Sequence, residues 1–393
     1  MTDYLREAAE IEKQVIDWRR DFHKNPELSL QEYRTAGIVA EVLRGLGMEV
    51  REKVGKTGVV GLLKGAHPGP CVLLRFDMDA LPMQEFSEHE YSSVVPNVMH
   101  ACGHDTHVSM GLGSAMLLAK HRDELHGSVK FMFQPAEENG SGAELMIQDG
   151  LLENPVPDKC FGIHIHSQTP SGKIGITDGP VLSSASTFQL KVIGKGGHGA
   201  EPQDSIDPIV TAAHIITLIQ TIVSRNVEPF EPVSISVGAI HAGSAYNIIP
   251  EIVEMRGSIR TYTKETAELV FKRMRTIVEN AAAAMGCKVE LELSSILPAT
   301  VNDPATAAVV RQICSDLLGP DWVDANNRGT ASEDFSLVLD RVPGVYLVLG
   351  AARKENDYPH HNPYFDINES MMKNGVALMS AVAAHYLSAD STE

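Results

Sequence analysis

Four short stretches carry the side chains that bind first-row metals: HACGHDTH at 100–107, PAEE at 135–138, GIHIH at 162–166 and HHNPYFD at 360–366. Thiolate, imidazole and carboxylate together make a donor set of the zinc type. Each stretch lies at the end of an element that reads as a strand, and in an open α/β sheet the strand ends are where sites form. One strand histidine such as His164, or an isolated C-x-H, carries little weight, because a core histidine is the commoner occurrence. The recurrence of four such stretches points to one metal site.

The pair Glu137–Glu138 directly follows the apolar FMFQ. If the chain is still extended there, neighbouring side chains point to opposite sides. One carboxylate can then bind metal while the other faces bound water or substrate, where it is placed to act as general base. A solvated acidic pair in a turn is the plainer reading of the same residues.

Several elements must hold these groups. Residues 1–44 read as two helical pieces broken at KNPELS, followed by the strands GVVGLLKG and CVLLRFD. A helical GLGSAMLLAKHRDEL, a strand SVKFMF, a helix GAELMIQDGLL and a strand KCFGIHI come next. This alternation predicts an α/β fold with a mixed, largely parallel sheet flanked by helices. From about 186 to 295 the order becomes βαββαβ, the ferredoxin-like arrangement, which forms a small domain by itself. The expected division is a catalytic domain over 1–182 and 299–393, with an inserted lid or dimerisation domain over 183–298.

The motifs RFDMDALPMQE, MHACGHDTHVSM, FQPAEENGSGAELMIQDG, GKGGHGAEPQDSIDP, NIIPE, SEDFS and HHNPYFDINE resemble those of the N-acyl-amino-acid amidohydrolases. That group includes aminoacylases, hippurate hydrolases and auxin-conjugate hydrolases, and is related to metal-dependent carboxypeptidases. The likeness runs in order from about residue 13 to 387. It implies that Cys102, His104, Glu138, His164 and His361 hold two divalent ions (zinc, manganese, cobalt or nickel), with Glu137 as the base toward metal-bound water. It implies further that Asp79 orients a ligand, while an acidic residue at a strand end equally suits a cap on the next turn, and that His198, in the Gly-rich GKGGHGAEP, reaches the active site of a partner subunit and stabilises an oxyanion. Asn247 and Arg260 match the pair that holds substrate amide and carboxylate, with Arg256 a competing candidate. A zinc-peptidase-like catalytic domain, a homodimer formed through the insertion, and hinge motion near 183 and 298 are expected on the same ground. Where relatives usually carry an aromatic residue, this chain has His166.

The reading is thus a metal-dependent hydrolase acting on small N-acyl amino acids. A carboxypeptidase or dipeptidase of the same metal chemistry and a cysteine-nucleophile amidase built on Cys102 are the alternatives. With 51 acidic residues against 33 Lys plus Arg, the formal charge of −18 disfavours nucleic acid and anionic membrane as partners. Five scattered cysteines and a charged N-terminal stretch without an apolar core predict reduced thiols and a cytoplasmic location. The apolar run 209–223 reads as a buried or interface helix.

Overall fold

The computed structural model describes residues 2–354 and 357–389. The chain divides into two compact units. The first holds the chain through Val181, Val301–Arg328 and everything from Glu333 on; the second holds Leu182–Thr300 and Gly329–Ser332.

An eight-stranded sheet forms the first unit, in the order Glu49–Val54, Gly58–Lys64, His126–Gln134, His67–Asp77, Lys159–Pro170, Gly344–Ala352, Ile174–Gly175, Val323–Asp324. Its four central strands are parallel, and antiparallel pairings appear toward both edges. From Cys71 to Asp77, from Val129 to Gln134 and from Gly344 to Ala351 every residue is buried, which is why these segments read as continuous apolar runs. The exceptions inside them are also buried: Arg75, Asp77 and Gln134 belong to the site described below, and Lys130 donates to the carbonyls of Leu151, Glu153 and Pro155.

Helices Glu12–Lys24, His104–Lys120 and Met372–Tyr386 pack on one another, and the last two also pack on the strand His67–Asp77. Helix His104–Lys120 is buried almost all round. Gly111 permits its close approach to the sheet, since a Cβ there would stand 2.6 Å from the Phe76 ring. From His67–Asp77 the chain passes to the neighbouring strand on one side and then to the neighbour on the other. Ligands collect at such a reversal, beyond the carboxyl ends of the strands.

The second unit is a four-stranded antiparallel sheet in the order Ser234–Ala242, Ile252–Arg260, Ala185–Ile193, Lys288–Leu297. Helices Pro208–Arg225 and Lys264–Ala284 complete the βαββαβ order around a core that includes Phe188, Leu190, Val192, Ile215 and Met274. Helix Pro208–Arg225 is long and apolar enough to cross a membrane. Its buried residues Thr211, Ala212, Ile215, Ile219 and Ile222 nevertheless recur every three or four positions and lie on that unit's own core, as an amphipathic helix requires.

Candidate metal centre

The five side chains expected to bind metal come together in the first unit. Cys102 Sγ lies 3.6 Å from His164 Nε2, and His361 Nε2 lies 3.4 Å from Glu138 Oε2. His104 Nε2 is 3.9 Å from Glu138 Oε1, while Cys102, Glu138 and His361 each offer a donor atom within 4.8 Å of the others. Glu137 Oε2 stands 4.0 Å from His104 Nε2. The two adjacent histidines of HHNPYF diverge. His361, at φ +60°, faces Glu138, whereas His360 packs against His166 and Phe365 and accepts the Ser167 N–H.

The expectation of an extended chain at Glu137–Glu138 is corrected by the structure. The strand ends at Gln134, and Glu137–Gly140 is a turn closed by the Gly140 N–H on the Glu137 carbonyl at 2.7 Å. Asp79 organises the turn, its Oδ1 accepting the Glu137 N–H at 3.0 Å and its Oδ2 the Glu138 N–H at 3.1 Å. The same carboxylate takes the Ser29 hydroxyl at 2.6 Å and lies 3.3 Å from His104 Nδ1, which also meets the Asp79 carbonyl at 2.9 Å. With Nδ1–H donated to Asp79, the imidazole keeps its Nε2 lone pair for the cluster. Glu32 holds the approach to the turn, accepting the Ala136 N–H at 2.9 Å.

Beneath the glutamates lies a buried charge group whose members each fall within a quoted motif, although nothing in the sequence pairs them. Arg75 donates to Gln134 at 2.8 Å and to Glu333 at 2.6 and 3.1 Å, and pairs with Asp77 at 2.8 Å. Asp334 accepts from Gln134 and from the Ala143 N–H. Glu137, Glu333 and Asp334 bring carboxylate oxygens within 4.8 Å of one another. The signal available in the sequence was an arginine and an aspartate inside an otherwise apolar strand, CVLLRFD, together with the acidic pair of SEDFS.

Electrostatics follow from this crowding. Burial, with Glu333 and Asp334 close by, pushes the Glu137 carboxyl well above the usual carboxylate range. Burial and Glu138 raise the Cys102 thiol. Burial acts to lower His104, but Asp77 and Cys102 beside it hold it well above the usual imidazole range. Burial and its histidine neighbours push His164 down. A cation at the centre would relieve the carboxylate repulsion and favour the thiolate.

Gly103, between the ligand candidates Cys102 and His104, caps the helix His104–Lys120 at φ +87°, and a Cβ there would lie 2.4 Å from Ile165 Cγ2. Both observations demand glycine. Gly103→Ala is expected to cost at least about 1–2 kcal/mol from the left-handed backbone alone, and to displace both neighbours. Urea unfolding midpoints and a metal titration would check this; an unchanged midpoint and unchanged metal affinity would refute it.

The remaining predicted residues belong to the second unit. His198 and Asn247 share one small two-stranded ribbon, in which His198 pairs with Ile248 and the Gly199 N–H donates to the Asn247 carbonyl; both are exposed. Arg260 lies on a separate strand, half-buried, with Nη1 donating to the Ser184 carbonyl at 3.3 Å. Arg256, on the same strand, is exposed.

The chemistry of the donor set fits a metal. His104 Nε2 and Glu138 Oε1 are buried, face each other and have no hydrogen-bond partner among the described residues, an arrangement that is costly unless a cation fills it. An α/β unit with a sulfur, nitrogen and oxygen cluster at its parallel strand ends, beside one further carboxylate, is the construction of a metal-dependent hydrolase. Residues 73–385 match peptidase family M20/M25/M40. The chain is 42% identical, over 96% of its length and 96% of the relative's, to thermostable carboxypeptidase 2 of Saccharolobus solfataricus. It is 37% identical to IAA-amino acid hydrolase ILR1-like 4 of Arabidopsis thaliana, over 95% of this chain and 86% of that one. A crystal structure of a dinuclear metal-binding peptidase of the M20 family from Bacillus subtilis superposes with a TM-score of 0.86 at 32% identity, covering 96% of this chain and 99% of that one. The protein belongs to peptidase family M20/M25/M40, and is a metal-dependent hydrolase of amide or peptide bonds.

Proposed function

We propose that the protein hydrolyses the amide bond of N-acyl amino acids, releasing a carboxylic acid and a free amino acid. The observation that carries this reading is the cluster itself: five donor side chains, two of whose buried atoms have no hydrogen-bond partner among the described residues, beside the Glu137 carboxylate. Cys102, His104, Glu138, His164 and His361 would hold two divalent ions, drawn from zinc, manganese, cobalt and nickel. Such ions supply positive charge that polarises an amide carbonyl and acidifies water.

Glu137 Oε2 takes the proton of the attacking water and delivers it to the departing amine nitrogen. An open cleft of about 430 Å³ lies beside Glu138, its walls divided between apolar Leu28, Ala80, Leu81 and Pro82 and polar Ser29, Gln31 and Asn139. Arg260 clamps the substrate carboxylate, for which a guanidinium fork is fitted. Asn247 holds the amide, and His198 from the second subunit of a homodimer stabilises the oxyanion. Support for these three roles is their motif context, together with the shared ribbon of His198 and Asn247.

Identity with a carboxypeptidase favours a second reading, in which the acyl part is a peptide. The two separate on a panel of acetyl, benzoyl, aryl-acetyl and peptidyl amino acids assayed with each of the four metals. Acyl amino acids are expected to turn over fastest, and preference for peptides would favour the second reading. Chelation is expected to abolish turnover and each effective metal to restore it; activity that persists in metal-free protein would instead favour a Cys102 nucleophile.

A further inference from the structure

The two central strands part at the site. His67–Asp77 pairs with Lys159–Pro170 only as far as Arg75 opposite Gly162. Yet each continues on its outer side, Asp77 opposite Gln134 and His166 opposite Gly350. Ile165 therefore has a backbone N–H on a strand whose inner neighbour has turned away.

His107, one turn along the helix that starts at His104, fills the gap. Its Nε2 accepts the Ile165 N–H at 2.8 Å, and its Nδ1 meets Asp77 Oδ1 at 2.5 Å. A backbone donor on Nε2 fixes the tautomer, because the proton must then sit on Nδ1 and point at Asp77. Asp77 is itself held by Arg75 at 2.8 Å. Both ring nitrogens are thereby used, so His107 offers no lone pair to a metal, although it lies within 4.8 Å of donor atoms on His104 and His164. Its ring instead meets the His164 ring edge-on at 4.4 Å, while His164 Nδ1 lies 2.6 Å from the Ile165 carbonyl.

We propose that the Asp77–His107 pair is a side-chain rung that replaces the missing ladder bond between the parted strands, and that His107 is a positioning residue which aims His164 Nε2 at the metal. This rests on the reading of His164 as a ligand. The rung spans strand end, helix and neighbouring strand, so it fixes the width of the opening as well as the imidazole.

Two substitutions divide the two contacts. The amide of His107→Gln can reach the place of Nε2 and accept from Ile165, whereas that of His107→Asn matches the Nδ1 edge and keeps only Asp77. Cobalt(II) is the probe, titrated into the full-length chelated protein, with binding read from the thiolate-to-cobalt absorption band of Cys102 and folding from circular dichroism. The glutamine variant is expected to bind within a few-fold of the unaltered protein. The asparagine variant is expected to bind about 10–100-fold more weakly. Equal affinities in all three proteins, or a greater loss in the glutamine variant than in the asparagine one, would overturn the proposal. Absence of the band in the unaltered protein would overturn the ligand set instead.

Discussion

Glu137→Gln is expected to lower kcat by about 10²–10⁴, the range that a positioned general base contributes, while metal content stays unchanged. Glutamine keeps the size of the side chain and leaves the turn intact, because Asp79 holds this turn through the backbone N–H groups of Glu137 and Glu138. What is lost is a group that can accept a proton. The position suits a base, since Oε2 stands 4.0 Å from His104 Nε2, at the edge of the donor cluster. Burial, with Glu333 and Asp334 nearby, pushes its proton affinity up, which favours accepting a proton, and cationic charge at the centre works in the opposite direction. Steady-state kinetics alongside metal analysis checks this. A glutamine variant that retains its metals and turns over at the original rate would falsify the assignment, and a loss of metal along with activity would recast Glu137 as a ligand.

The candidate ligands stand out in the sequence because each falls in a short local pattern at the end of an element whose period is strong. Cys102 and His104 flank a glycine at a helix start, Glu137–Glu138 follow a buried strand, and His164 lies within one. Fold class and the βαββαβ order of the second unit were legible for the same reason, since burial dictates periodicity. Less could be read where a residue acts through partners remote in sequence. Asp79 reads as a group that orients one ligand or caps one turn, yet it gathers three other segments at once, through Ser29, His104 and the pair Glu137–Glu138. No spacing rule reveals that the backbone turns at Glu137. Arg75 and Glu333 are 258 residues apart, and each alone is an ordinary charged residue until the fold buries both.

That buried arginine carries the largest expected effect on stability. Arg75→Met is expected to destabilise the protein by about 3–5 kcal/mol, the usual consequence of removing one partner from a buried ion pair. Arg75 is wholly buried, and its guanidinium joins Asp77, Gln134 and Glu333. Methionine fills much of the volume, so packing loss is the smaller part; the larger part is two acids and an amide left without their donor. Bound metal adds its own stabilisation, and the comparison therefore belongs in chelated protein, as a shift in urea midpoint at constant m. The double substitution Arg75→Met with Glu333→Gln should recover part of the loss, because it removes one stranded charge, and the coupling can be read from the cycle. The arginine also works against the elevation of Glu137, so the single variant should shift the acidic limb of the kcat profile to higher pH. A midpoint within error of the unaltered protein would show that the acids tolerate the loss by holding protons, and that Arg75 contributes little to holding the central strands.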